Sequence, residues 1–306
     1  MSFRSGFVGI IGRPNVGKST LLNYYLGTTI SIVTAVPQTT RHKILGILTR
    51  EDAQIMFVDT PGIHDPLHAL GKDMVRAALG VLTDVDLLLH VIDGRRGWLL
   101  EDRRVRDAVR AAQRPALFVV NKIDAVKPKA RALPLMEEAQ RAGCYRDYFP
   151  VSALRGDQMD VLLQQIVAAL PEGPQFYDAD QITDRTVRFQ IGELIREQVL
   201  RQTWEEVPHA AAVQVESIED KPEHRVSVIH ATIVVERETQ KGILIGKGGR
   251  QLKEIGEAAR HRIEALIGQR VFLQLWVKAV GEWRKDPQRL KEFGYGESGQ
   301  RTASSS

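Results

Sequence analysis

The sequence is poor in cysteine. Its 306 residues hold one, Cys144, so no intramolecular disulfide can form and a reducing cytoplasm is the natural expectation. No stretch approaches 18 uninterrupted apolar residues, which excludes a membrane-spanning helix. The N-terminus has no basic segment followed by a long apolar one, so no signal peptide is expected. Surface attachment to a membrane stays open. Charge is nearly balanced: 42 Lys and Arg against 38 Asp and Glu give +4, which permits a nucleic-acid partner without demanding one. The length suits two domains better than one.

The strongest signal is Gly12-Arg13-Pro14-Asn15-Val16-Gly17-Lys18-Ser19. It fits the phosphate-cradling loop between a strand, Phe7 to Ile11, and a helix from Thr20. Glycine at 12 and 17 lets the backbone approach phosphate oxygens, and successive N–H groups at the helix start face the anion. Lys18 is placed to reach the β- and γ-phosphates and the Ser19 hydroxyl to ligate Mg²⁺. Thr28 to Lys43 has no periodicity and reads as a loop beside the nucleotide. Thr39 and Thr40 each offer a hydroxyl to the metal, or else begin the strand Ile44 to Thr49.

The strand Gln54 to Val58 ends in Asp59-Thr60-Pro61-Gly62. Asp59 there is positioned to hold the metal through water, and the Gly62 N–H to approach the terminal phosphate. Many enzymes of this kind carry a glutamine next to orient the attacking water; here stands Ile63, which neither donates nor accepts. No arginine can be singled out to stabilise the transition state, so slow turnover is expected. Helical spacing predicts a helix over Leu70 to Leu82 and buried strands over Leu87 to Ile92 and Ala116 to Val120. His90 reads as a packing residue, and the arginines of Glu101 to Ala112 as a solvated face. Asn121-Lys122-Ile123-Asp124 then points to guanine: Asp124 accepts from the ring N–H and exocyclic amine, which adenine lacks. Asn121 is suited to the other base edge and the Lys122 stem to the base face. After the strand Tyr148 to Val151, backbone N–H groups of Ser152 and Ala153 are candidates to meet the guanine carbonyl; a plain turn explains them equally. Asp157 is the expected cap of a helix over Val161 to Leu170.

Alternating strands and helices predict an α/β, doubly wound sheet with its motifs at the carboxyl ends of strands. Residues 5–171 resemble a GTPase domain of the Ras-like superfamily, in its translation-factor-related branch. A linker is expected over 172–181. In residues 182–295, Thr183-Asp184 offers a helix cap, two strands form a hairpin, and Gly242 to Gly249 ends in Gly246-Lys247-Gly248-Gly249. A helix follows whose buried stripe is Leu252, Ile255, Ala259, Ile263 and Leu266, then a strand and a short basic helix, Trp283 to Phe293. This order resembles a smaller α+β domain, a type II KH domain, whose Gly-x-x-Gly loop clamps single-stranded RNA. Ile245, Gly246, Lys247, Gly248, Gly249, Arg250 and Lys253 are the expected RNA contacts. Taken alone, Gly-Lys-Gly-Gly reads more readily as a helix-joining turn; the apolar Ile243-Leu244-Ile245 before it and the helix after it favour RNA. A disordered tail is expected over 296–306.

With Gln38-Thr39-Thr40-Arg41-His42 between the phosphate loop and Asp59, the chain to about residue 295 resembles the Era family. That resemblance implies slow GTP hydrolysis with GTP/GDP and Mg²⁺, with Lys18, Thr40 and Gly62 at the reacting phosphate and Thr40 as the metal-ligating threonine. It implies binding to the 3′ end of small-subunit (16S) ribosomal RNA, assistance to assembly of that subunit, and a place in the cytoplasm and at the inner face of the membrane. A monomer is expected. Two rival readings remain: an RNA-binding scaffold with a structural nucleotide, and a membrane-associated signalling GTPase.

Overall fold

The computed structural model describes residues 2–295 except 67, 222 and 224; the expected tail over 296–306 lies outside the described residues. The chain forms two compact units. One is built on residues up to 66 and on 74–184, the other on residues from 185 onward with a short piece before 74.

The first unit is a six-stranded sheet. In chain order it comprises β1 (Arg4–Ile11), α1 (Lys18–Leu26), β2 (Ile44–Thr49), β3 (Ala53–Asp59), α2 (Ala69–Asp84), β4 (Leu87–Asp93), α3 (Leu100–Ala112), β5 (Ala116–Asn121), α4 (Leu133–Ala142), β6 (Asp147–Pro150) and α5 (Met159–Ala169). The strand order is β2-β3-β1-β4-β5-β6, parallel except for β2. Every residue of β4 and β5 is buried, because helices cover both faces of such a sheet. Leu21, Leu22, Leu162 and Ile166 pack one face; Ala78, Val81, Val105 and Val109 pack the other. The carboxyl ends of β1, β3, β4 and β5 therefore open on one edge, where the motifs collect.

Three local expectations fail for identifiable reasons. Asp157 does not cap α5: Gln158 occupies that position with φ of 61°, and no side chain closes the helix end. Thr183 is not the cap of the helix that follows, a position Thr186 takes; its hydroxyl donates to the Leu45 carbonyl at 2.7 Å. The stretch expected as linker is bound along the sheet edge. Gln54 pairs with both the N–H and carbonyl of Tyr177, and the Ile47 N–H donates to the Ile182 carbonyl at 2.9 Å. Ile182 and Thr183, just beyond that stretch, cover the free edge of β2, which would otherwise present unpaired backbone groups.

The second unit runs α6 (Val187–Gln202), α7 (Val207–Ala210), β7 (Ala212–Lys221), β8 (Val226–Val235), α8 (Glu238–Ile245), α9 (Arg250–Ile267), β9 (Arg270–Ala279) and α10 (Pro287–Glu292). Thr186 caps α6, its hydroxyl accepting from the Phe189 N–H. β7 and β8 are antiparallel, whereas β9 joins β8 in parallel because the chain crosses over through α8 and α9. α6 and α9 bury Ile191, Ile195, Ile255, Ala259 and Ile263 against one sheet face. Leu266 is exposed and Ile267 packs in its place. The expected basic helix is broken at Asp286-Pro287: Trp283 sits buried in a tight turn, and α10 starts at Pro287. Arg284, Lys285 and Arg289 of this segment are paired with Glu236, Glu282 and Glu292, so little free positive charge remains there.

Candidate nucleotide-binding site and nucleic-acid interface

The phosphate loop is shaped by steric exclusion. Gly12 has φ of 155° and a Cβ there would lie 2.3 Å from the Val91 carbonyl oxygen; at Gly17, φ is 100° and a Cβ would meet Asn121 Nδ2 at 2.3 Å. Val16 is fully buried beneath the loop, while the Asn15 side-chain amide donates to the Ala35 carbonyl at 2.8 Å. Arg13 turns away from solvent and donates to Asp102 at 3.0 Å, both groups buried; Asp102 also accepts from the Leu99 N–H at the start of α3. A cavity of about 610 Å³ opens above, lined by Pro14, Lys18, Thr40, Gly62, His64 and Lys122 among others.

Lys18 is buried in that cavity wall. Its Nζ donates to the carbonyls of Gly12 at 3.1 Å and Arg13 at 3.0 Å. Burial brings its pKa down to about 8, with the Asp59 charge opposing the fall. Ser19 Oγ donates to Asp59 Oδ2 at 2.6 Å and lies 2.9 Å from Thr40 Oγ1. Thr39 instead donates to the Val36 carbonyl at 2.7 Å. Thr40 thus faces the Ser19–Asp59 pair and Thr39 is held by its own loop. Burial pushes the Asp59 carboxyl up, against Lys18 and the hydroxyls of Ser19 and Ser31. Asp59 Oδ1 is buried without a hydrogen-bond partner. An oxygen-rich, acid-containing pocket with an unsatisfied carboxylate oxygen fits Mg²⁺ held directly by hydroxyls and through water by Asp59.

The Asp-Thr-Pro-Gly turn lies on the phosphate loop. Thr60 donates to the Ile10 carbonyl at 2.8 Å, and the Ile63 N–H to the Gly12 carbonyl at 3.2 Å. Pro61 is buried in the same turn, and a Cβ on Gly62 would lie 2.5 Å from the Pro14 nitrogen. Ile63 is buried with Ala78 and Val81, so it is a core residue beside the reaction. His64, which the sequence reading passed over, lines the cavity; its Nδ1 is 2.8 Å from the Gly62 carbonyl.

At the base end the motif residues are tied to one another. Asn121 is a brace: its Nδ2 donates to the Val16 carbonyl at 2.9 Å, and its Oδ1 accepts from the Lys122 and Ala153 N–H groups. The Ser152 N–H donates to the Asp157 carbonyl at 3.0 Å. The Ser152 and Ala153 N–H groups thus both have protein partners here, as the plain turn that was the equal expectation would give. Ser152 acts through its hydroxyl, which donates to Asp124 Oδ1 at 2.6 Å and orients that carboxylate. Lys122 Nζ reaches Asp93 Oδ2 at 2.8 Å and the Asn15 carbonyl, laying its stem across the cleft. Asp93 is a further residue not foreseen. Burial would raise its pKa, but hydrogen bonds from Arg95 and Lys122 outweigh it and hold the carboxyl at about 2. Its one signal was its place at the end of β4, matching Asp59 at the end of β3.

In the second unit, Gly246, Gly248 and Gly249 have φ of 70°, 64° and 79°, the left-handed region that glycine occupies without strain. Lys247 and Gly248 are exposed and Ile245 is half-buried. α9 follows Gly249 with no side-chain cap, leaving its first N–H groups facing outward. Arg250 and Lys253 lie on its exposed side in pairs with Glu254 and Glu257. A groove of about 520 Å³ runs from this loop between α9 and β9.

A doubly wound sheet whose phosphate loop, hydroxyl–carboxylate cluster and Asn-Lys-Ile-Asp motif share one edge, followed by a Gly-x-x-Gly domain, defines a guanine-nucleotide-binding P-loop protein with a KH module. The model of the 50S ribosome-binding GTPase family matches residues 7–122, and that of the KH domain residues 206–284. GTPase Era of Alkaliphilus metalliredigens is 44% identical over 297 residues, covering 96% of this chain and 100% of that protein. An Aquifex aeolicus Era variant bound to GDP and tetrafluoroaluminate is 40% identical with a TM-score of 0.93, over 96% of this chain and 100% of that one. Era in complex with MgGDPNP and nucleotides 1506–1542 of 16S ribosomal RNA matches with a TM-score of 0.94 at 40% identity, over the same shares. The chain belongs to the Era family of GTPases.

Proposed function

We propose that this protein binds and hydrolyses GTP and uses the resulting switch to bind the 3′ end of 16S ribosomal RNA and assist assembly of the small ribosomal subunit. The observation that carries the reading is the joint presence of both sites, with a relative that holds MgGDPNP and 16S RNA together. Lys18 and the N–H groups of residues 15–19 bind the phosphates. Ser19, Thr40 and water on Asp59 hold Mg²⁺, which neutralises charge on the β- and γ-phosphates. Asp124, oriented by Ser152, selects guanine. The buried Ile63 leaves water placement to the backbone at Gly62, the Thr40 loop or a partner, which fits slow turnover. In the second unit Ile245 to Gly249 admit close backbone approach, and Lys247, Arg250 and Lys253 supply charge to the RNA. The order that GTP and Mg²⁺ impose on the loops around Thr40 and Gly62 changes RNA affinity, and hydrolysis reverses it.

The described residues contain no helix long and apolar enough to cross a membrane. Our reading is a cytoplasmic monomer with peripheral contact at the inner membrane face. The test is equilibrium binding to a 16S 3′-end oligonucleotide beside a scrambled control. Selective binding that falls at least tenfold in Gly248→Asp, which puts a like charge against phosphate, is expected. Equal binding of both sequences with a steep salt slope contradicts the reading.

A further inference from the structure

The face of the second unit's sheet that α6 and α9 leave uncovered carries an unusual row. Strand residues alternate, so Arg270, Phe272, Gln274, Trp276 and Lys278 of β9 share that face, while Val271 packs into the core on the other. A bland solvated face would be polar throughout. This one holds Phe272 at 55% and Trp276 at 47% exposure, with a cation exposed at each end of the strand. His230, on the adjacent strand β8, lies nearly parallel to the Trp276 ring at 5.4 Å and 17°. The two rings stack on one another, an aromatic pair to which a further base can add. Phe272, opposite Val228 in the register, also lines the groove that starts at the Gly-x-x-Gly loop. The aromatic row is thus continuous with the RNA groove along a single strand.

We infer that the outer face of β9, centred on Trp276 and His230, is a base-stacking platform that receives the single-stranded RNA leaving the Gly-x-x-Gly groove. The inference rests on the RNA reading above and adds a second contact region to it. Every base offers a π face, so stacking needs no hydrogen-bond code, and Arg270 and Lys278 meet the phosphates on either side. Phe272 and Trp276 are four residues apart, about 13 Å along a strand, which suits the two or three bases that aromatic residues on a sheet hold elsewhere. Beside the tryptophan, Thr232 is buried and its hydroxyl donates to Glu216. That carboxylate keeps phosphate from the centre of the platform, leaving it to bases.

The test uses the full chain with GTP analogue and three oligonucleotides: a core segment that fills the groove, and the same segment extended by three nucleotides at the 5′ or the 3′ end. One extension is expected to tighten wild-type binding at least fivefold. Trp276→Ala should lose that gain and bind the core segment like wild type, while Trp276→Phe keeps most of it. His230→Ala, read the same way, keeps the test decisive if Trp276→Ala does not fold. If neither extension tightens binding, or the alanine variants retain the gain, the platform is refuted and the face belongs to a protein partner. If the wild type binds none of the three, the RNA reading itself has failed and the platform falls with it.

Discussion

In the proposed function, base choice turns on Asp124. Its carboxylate, held by the Ser152 hydroxyl, presents acceptors only. Asp124→Asn places a donor against the guanine amine, so GTP affinity should fall at least tenfold while a xanthine nucleotide, with a carbonyl at that position, binds better. Competition titration reads both. Ile63 makes an opposite case. Restoring glutamine there does not restore a water-orienting group, because the position belongs to the core. Ile63→Gln should lose about 1–3 kcal/mol of stability with no gain in kcat, measured by denaturant unfolding and GTP turnover.

His90 predicts a pH effect. It is fully buried, its Nδ1 is 2.6 Å from the Tyr145 hydroxyl, and burial, with some help from Arg106 and Lys18, brings its pKa down to about 3. The unfolded chain therefore binds the proton first as pH falls. The stability from keeping His90 neutral is complete above pH about 6.5 and is lost progressively toward pH 3. His90→Gln should flatten the stability profile between pH 6 and 4 relative to wild type.

At the scale of elements, the contiguous features were legible. The phosphate loop, the strand-end motifs and the Gly-x-x-Gly loop each lie in one short run, and the apolar strands β4 and β5 announce a sheet covered on both faces. Features that join distant positions were not. Arg13 with Asp102, Ser31 with Asp59, and Lys122 with Asp93 pair residues 28 to 89 positions apart, and no local pattern marks them. The spacing of Asn121 likewise says nothing of the Val16 carbonyl that takes its amide. Helix starts were missed by two or three residues, since Thr183 and Thr186 are equally good caps and only the sheet edge decides between them. Thr186→Ala should cost about 1 kcal/mol in thermal or denaturant unfolding. Gly17→Ala, with its Cβ driven into Asn121, should abolish tight nucleotide binding while far-UV circular dichroism shows the folded sheet.

For the whole molecule, the nucleotide cleft and the RNA groove belong to separate compact units, each with its own core. The claim that joins them is a coupling free energy, and coupling is reciprocal: if GTP tightens RNA binding, RNA must tighten GTP binding by the same factor. The most direct measurement is the dissociation constant for the 16S 3′-end oligonucleotide with GTP analogue and with GDP at one salt concentration. The account predicts tighter binding with the analogue by a factor of about 5–150, as typical couplings of 1–3 kcal/mol give. Equal affinity in the two states would contradict it and leave an RNA-binding scaffold with a structural nucleotide.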